Sequence, residues 1–166
     1  SRALRREATT VAPGADGVTF LPYLQGERTP HRDASLRGAL LGLSLAHTRA
    51  HVTRAVLEGV CFALRDSLEI LGELGLPASE VVLTGGGARH ALLRQLQADV
   101  FGLPVVTVNR EEGSANGAAL LAAVAAGAFP DLAAAARASV TRNAPAPPDP
   151  RTADAYGPLF ARFRQA

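Results

Sequence analysis

At 166 residues, 48% of them hydrophobic and 19% charged, the chain has the length and composition of one ordinary domain with a real core. No apolar run approaches the roughly 18 residues that cross a bilayer, which excludes a membrane-spanning helix. The net charge is +2, and the 17 basic residues, all arginine, are scattered without an aromatic-interleaved face, which excludes nucleic acid as the expected partner.

Three further features set the context. Ser1-Arg2-Ala3-Leu4-Arg5-Arg6 leads into no apolar stretch of a signal peptide. Cys61 is the only cysteine, so no internal disulfide forms, which fits a reducing, cytoplasmic setting. The sequence holds no methionine and is therefore expected to be a fragment or a processed chain.

In chain order, residues 1–10 read as a short polar helix end, and Pro13-Gly14-Ala15-Asp16-Gly17 as a turn. Val18-Thr19-Phe20-Leu21 reads as a strand ending at Pro22, followed by a long ordered loop from Tyr23 to Ser35. Leu36–Leu45, broken by Gly38 and Gly42, reads as a strand with close backbone contacts. The longest helix is predicted from Thr48, an N-cap, to Leu74, before the stop signal Gly75 and Pro77. It carries two apolar stripes. Val52, Val56, Val60, Ala63 and Leu71 form one, and Leu57, Leu64, Leu68 and Leu74 form the other. Such a helix is expected to be central, packed between a sheet and a second layer.

Residues 81–108 then form the layout of one α/β crossover. The run Val81-Val82-Leu83 is a strand and Gly85-Gly86-Gly87 a turn. Leu92, Leu93, Leu96 and Val100 give a helix its apolar stripe, and Val105-Val106-Thr107-Val108 is a second strand. Beyond it lie a polar loop, Asn109 to Gly113, and a helix of small residues, Ala115 to Ala126, with Ser114 as expected N-cap and Gly127 as stop. Asp131 caps a further alanine-rich helix to about Ser139. Residues 143–150 carry four prolines and read as an extended tether. A last helix over about 151–165 presents Tyr156, Phe160 and Phe163 for docking.

Chemistry is expected at the glycine turn. Glycines admit an anion close to the main chain and reach positive φ without strain. A following helix start offers unpaired N–H groups at the positive end of its dipole. Strand, turn and helix start together make a phosphate site. On the motif alone, a bare tight turn is an equal reading.

Several segments together resemble the FGGY carbohydrate kinases. Leu21-Pro22-Tyr23-Leu24-Gln25-Gly26-Glu27-Arg28-Thr29-Pro30-His31 is similar to the LPYLxGERTPH segment of bacterial xylulokinases. Gly38-x-Leu40-x-Gly42-Leu43 with His51-Val52-x-x-Ala55-Val56-Leu57-Glu58 resembles the second family signature. Thr84-Gly85-Gly86-Gly87-Ala88-Arg89 and Gly117-Ala118-Ala119 follow in family order, so the resemblance runs from about Ala8 to Phe163.

The resemblance implies an α/β fold: the actin-like ATPase (ribonuclease-H-like) C-terminal domain, a mixed sheet with helices on both faces, missing its first strands. Residues 1–142 would be the partial nucleotide-binding domain, and 143–166 its proline-rich tether and docking helix. It implies ATP with Mg2+ as cofactor and a sugar substrate, D-xylulose foremost. Gly85, Gly86, Gly87 and Ala88 would lie along ribose and phosphates. Ala91 falls where relatives place a polar side chain near the base, and Glu111 or Glu112 would edge the purine pocket. Asn116 departs from the leucine of many relatives. The first phosphate loop, the sugar-binding residues and the catalytic aspartate would lie outside this chain, which is then inactive alone. An uncovered helix face and an open sheet edge would favour self-association, a dimer.

Two alternatives stand beside this. A non-catalytic nucleotide- or partner-binding module of the same fold fits the same residues. A dinucleotide-binding domain is disfavoured by His90 at the third glycine position and by the absence of an acid at Asn109. Among the other polar residues, Glu27, Arg28 and His31 read as a buried loop brace. His47, His51 and His90 are too scattered for a metal site. Cys61 is an inert core thiol, and Asp66 and Glu69 are the solvated face of the long helix.

Overall fold

The computed structural model describes residues 2–109 and 113–166. Among these residues six α-helices and four short strands follow in the order α1 (Arg2–Ala8), β1 (Thr19–Leu21), β2 (Ala39–Leu41), α2 (Arg49–Glu73), β3 (Val81–Leu83), α3 (Ala91–Phe101), β4 (Val105–Thr107), α4 (Gly113–Ala125), α5 (Leu132–Ser139) and α6 (Pro150–Gln165). Strands of both senses are present, as a mixed sheet requires, but split over two ladders. β1 pairs antiparallel with β2, Phe20 opposite Leu40; β3 pairs parallel with β4, Val82 opposite Val106. Among the described residues no helix is long and apolar enough to cross a membrane.

α2 is bounded by the expected signals. The Thr48 N–H donates to Nδ1 of His51 at 3.1 Å, which satisfies one of the orphan donors at the helix start. At the other end Gly75 takes φ +75°, and the Leu76 N–H returns to the Leu71 carbonyl at 2.9 Å, closing a Schellman turn.

Its burial does not follow its apolar stripes. The buried positions are Arg54, Ala55, Glu58, Gly59, Cys61, Phe62 and Asp66, whereas Val60, Leu64, Leu71 and Leu74 are exposed. The reason is a buried polar network. Arg54 Nε donates to Glu58 at 2.7 Å, and the Tyr156 hydroxyl donates to the same oxygen at 3.0 Å. The Gly14 N–H reaches both Glu58 oxygens at 3.1 Å, and Arg54 donates to the Tyr156 hydroxyl. Two opposite charges with their hydrogen bonds filled can be buried where either alone could not. Gly59 is needed for a second reason: a Cβ there would sit 2.1 Å from the Phe20 carbonyl oxygen, so α2 rests on the backbone of β1.

Asp66 is buried, not on a solvated face. It pairs with Arg164 of α6 at 3.4 Å, and burial pushes its carboxyl above the usual range while the Arg164 charge opposes. Tyr23, Cys61, Phe62, Leu96, Val100, Tyr156, Phe160 and Phe163 form the main core. Burial pushes the Cys61 thiol up to about 12.

The proline-rich approach to α6 is more than a tether, because it lies antiparallel along β4. Val105 N–H donates to Ala146 O at 2.9 Å, Val105 O accepts the Ala146 N–H at 2.8 Å, and Asn143 N–H donates to Thr107 O at 2.9 Å. Prolines fill positions that need no donor. Asp99 of α3 then takes the Asp149 N–H at 2.8 Å and the Thr152 hydroxyl at 2.7 Å, which docks the start of α6. Asp131 caps α5 through the Ala134 N–H at 2.7 Å. Ser114 is not a cap: α4 already includes Gly113.

Candidate functional site

β3 and β4 run parallel, so their carboxyl ends open on one side, where ligands sit in α/β sheets. The chain leaves β3 at Thr84 and enters the glycine turn there. Gly85 adopts φ 76°, ψ −166°, a conformation that side chains other than glycine's resist. Gly86–Arg89 then make one turn of 3-10 helix before α3 starts at Ala91, with His90 at its N-cap. The expectation that the glycines lead straight into the helix that carries Leu92, Leu93, Leu96 and Val100 is therefore corrected. The amides nearest the glycines belong to a separate short turn, and α3 begins one turn later.

Within this turn the Ala88 N–H donates to Gly85 O at 3.1 Å and the His90 N–H to Gly87 O at 3.2 Å. The N–H groups of Gly86 and Gly87 meet no acceptor among the described residues. A Cβ built at Gly85 or Gly86 would meet nothing within 4 Å; one built at Gly87 would lie 3.2 Å from Leu93 Cδ2. The turn is thus backed by α3 on one side and open on the other. From α3, Arg94 Nη1 donates to the Ala88 carbonyl at 2.6 Å. The start of α4 stands beside the turn, since a Cβ at Gly113 would lie 3.7 Å from Thr84 Oγ1.

The structure therefore gathers Gly85, Gly86, Gly87 and Ala88 on one turn, with Ala91 exposed at the first position of α3. Ala91 offers only a methyl group. Asn116 lies half-buried in the first turn of α4, and Glu111 and Glu112 fall outside the described residues. Arg94 is the residue that the sequence reading missed. Its place three positions into α3 is a signal only once the carbonyl it holds is known.

The other polar groups are engaged elsewhere. A cavity of about 280 Å³ between the 21–37 loop, α2 and α6 touches none of the turn residues. Its polar lining is internally paired: the Tyr23 hydroxyl with His31 Nε2 at 3.2 Å, and Asp66 with Arg164. Glu27 accepts the Thr29 N–H at 2.7 Å within its own loop, but the expected buried brace is corrected: Glu27 is half-buried, and Arg28 and His31 are exposed.

His47 and His51, read from sequence as scattered, meet at Asp16. Their rings lie 5.4 Å apart, with His47 Nε2 at 3.3 Å from the Asp16 carbonyl and His51 Nε2 at 3.0 Å from its carboxylate. Each Nδ1 accepts a backbone N–H, from Ser44 and Thr48, so each Nε2 carries the proton toward Asp16. The pair fastens the start of α2 to the 14–17 turn. Among the described residues no group of three or more His, Cys, Asp or Glu side chains is placed to hold a metal ion.

Residues 1–126 match the FGGY family of carbohydrate kinases, C-terminal domain. Among curated proteins, the chain is 41% identical to a xylulose kinase of Bacillus subtilis over 151 residues, covering 91% of this chain and 30% of that protein. It is 36% identical to a gluconokinase of Bacillus licheniformis over 166 residues, covering 98% of this chain and 32% of that protein. Among solved structures, the xylulose kinase from Rhodospirillum rubrum superposes with a TM-score of 0.84 at 35% identity, covering 99% of this chain and 33% of that one. The ligand-bound xylulose kinase from Lactobacillus acidophilus gives 0.86 at 31%, with the same coverage. The chain thus spans about a third of the length of the relatives it matches.

Proposed function

The chain belongs to the FGGY family of carbohydrate kinases, as a C-terminal domain, and on that premise we propose that it supplies the nucleotide side of the cleft in an ATP-dependent sugar kinase. The observation that carries this reading is the glycine turn: two positions where a side chain would meet only open space, beside N–H groups with no acceptor among the described residues. A triphosphate needs that combination of close approach and donors. Gly85, Gly86, Gly87 and Ala88 hold ribose and phosphates through their main chain, and Ala91 borders the base.

ATP supplies the transferred phosphoryl group, and Mg2+ accompanies its phosphates. Phosphoryl transfer depends on positioning and on neutralising charge around the γ-phosphate. Half a cleft does neither, so the sugar site and the catalytic base belong to the remainder of such an enzyme. D-xylulose is the first substrate to test and gluconate the second, following the activities named for the relatives above. Residues 1–142 and 143–166 serve as one domain, because the second segment pairs with β4 and buries Tyr156, Phe160 and Phe163 in the main core. A cytoplasmic location fits the ATP supply and the single buried thiol. The exposed leucines of α2 support assembly as a dimer.

The test is phosphorylation of D-xylulose and of D-gluconate by the complete enzyme that carries this chain, beside the 166-residue chain alone. ATP-dependent phosphorylation of one sugar by the complete enzyme and none by the chain alone is expected. Activity of the isolated chain, or none with either sugar in the complete enzyme, refutes the reading.

A further inference from the structure

The short turn that presents the glycines is a single 3-10 turn, Gly86–Arg89, set between β3 and α3. Ala88 N–H to Gly85 O and His90 N–H to Gly87 O close it internally, and Gly85 occupies a backbone region open to glycine alone. Glycine-rich backbone loses much conformational freedom when ordered, so a loop of this composition needs an outside support to keep one shape. Two groups from the first turn of α3 provide it. Leu93 lies beneath Gly87, and Arg94 reaches back to donate to the Ala88 carbonyl at 2.6 Å. Arg94 is itself anchored, since its own N–H closes the start of α3 on His90 O at 3.0 Å.

From this arrangement we infer that Arg94 is a positioning residue for the nucleotide: it pins the glycine turn from behind so that its amides stay aimed at the phosphates. The inference rests on the nucleotide reading above and deepens it. By taking the Ala88 carbonyl, Arg94 turns that acceptor toward α3 and away from the open side, where a phosphate would be repelled by it. The bond carries a full positive charge on the donor and is therefore stronger than a neutral one. The guanidinium also adds a fixed positive charge behind the phosphate site without touching the ligand. Arg94 therefore acts through the main chain of residues 85–88 and makes no contact with the reacting atoms.

The experiment compares Arg94→Gln, Arg94→Lys and Gly86→Asp in the complete enzyme that carries this chain. Four readouts are taken: KM for ATP, KM for the sugar, the melting temperature, and amide hydrogen exchange of residues 85–91 without nucleotide. Arg94→Gln is expected to raise KM for ATP about tenfold, the loss of one charge-assisted hydrogen bond, with KM for the sugar unchanged. Exchange across the turn is expected to accelerate, and Arg94→Lys, which keeps charge and one donor, to recover most of both effects. If Arg94→Gln leaves KM for ATP unchanged while Gly86→Asp raises it, the positioning role is overturned and the nucleotide site stands. If neither variant changes KM for ATP, both readings fall. Equal rises in both KM values with a lower melting temperature mean general loosening, which also overturns the inference.

Discussion

Aspartate at position 86 tests the phosphate cradle most directly. The Gly86 backbone is not in the left-handed region, and its added Cβ would meet nothing within 4 Å, so the fold has no internal reason to resist the side chain. Stability should stay within about 0.5 kcal/mol of wild type, as for an exposed substitution. Binding should not. A carboxylate about 5 Å from a phosphate charge is repelled by about 0.8 kcal/mol at a dielectric of about 80, and by about 3.3 kcal/mol at about 20. Those limits correspond to a loss of affinity between about 4-fold and about 300-fold. The assay is KM for ATP and for the sugar in the complete enzyme, with the melting temperature as control and Gly86→Ala as the uncharged comparison. A folded Gly86→Asp protein whose KM for ATP lies within about twofold of wild type would show that no phosphate approaches this turn. It would reduce the glycines to a bare strand-to-helix connection.

Four other outcomes follow from the geometry. Gly59→Ala, in contrast to Gly86→Ala, must move α2 off β1, because its methyl would stand 2.1 Å from a backbone oxygen; a large drop in melting temperature is expected, and an unchanged one refutes the close approach. Glu58→Gln leaves Arg54 without its buried counter-charge, and a denaturant titration should register a loss of about 3–5 kcal/mol. Cys61, with its thiol pushed up to about 12 by burial, should stay unreactive toward a thiol reagent at pH 8 until the chain is unfolded. Asp149 is held down to about 2, mainly by the side-chain hydrogen bond from Arg151 and then by the Arg151 N–H. Its folded value is lower than its ordinary 3.8, so its stabilisation is present above that value and lost as pH falls toward 2. Asp149→Asn should flatten the pH dependence of unfolding in that window, and an unchanged profile would remove this carboxylate from the account.

The turn itself was legible from composition, since three adjacent glycines between an apolar run and an amphipathic helix admit few structures. What it needed from the structure was direction. The separate 3-10 turn, the Arg94 support and the nearness of Gly113 depend on how α3 and α4 are set against β3, and no residue in the turn encodes that. The long helix shows the converse. Its valine and leucine stripes predicted apolar packing on two sides, yet members of both stripes are exposed and the face that is buried contains Arg54, Glu58 and Asp66. Periodicity counts apolar residues, and it cannot see that Glu58 has Tyr156 as a partner 98 residues away.

By itself, the sequence determined the order of the elements and those ends that a cap or glycine stop marks, because such signals act within a few residues of where they are written; it did not give the short span of β2 or the start of α4. Thr48, Gly75, Asp131 and the 81–108 crossover are of this kind. Tertiary structure alone decided which charges could be buried, that His47 and His51 converge on Asp16, that Gly59 but not Gly86 is sterically fixed, and that the proline segment pairs with β4. Most of these depend on contacts between groups tens of residues apart, such as Glu58 with Gly14 and Tyr156. The free energy of such a contact exists only once the chain has brought both groups to the same place.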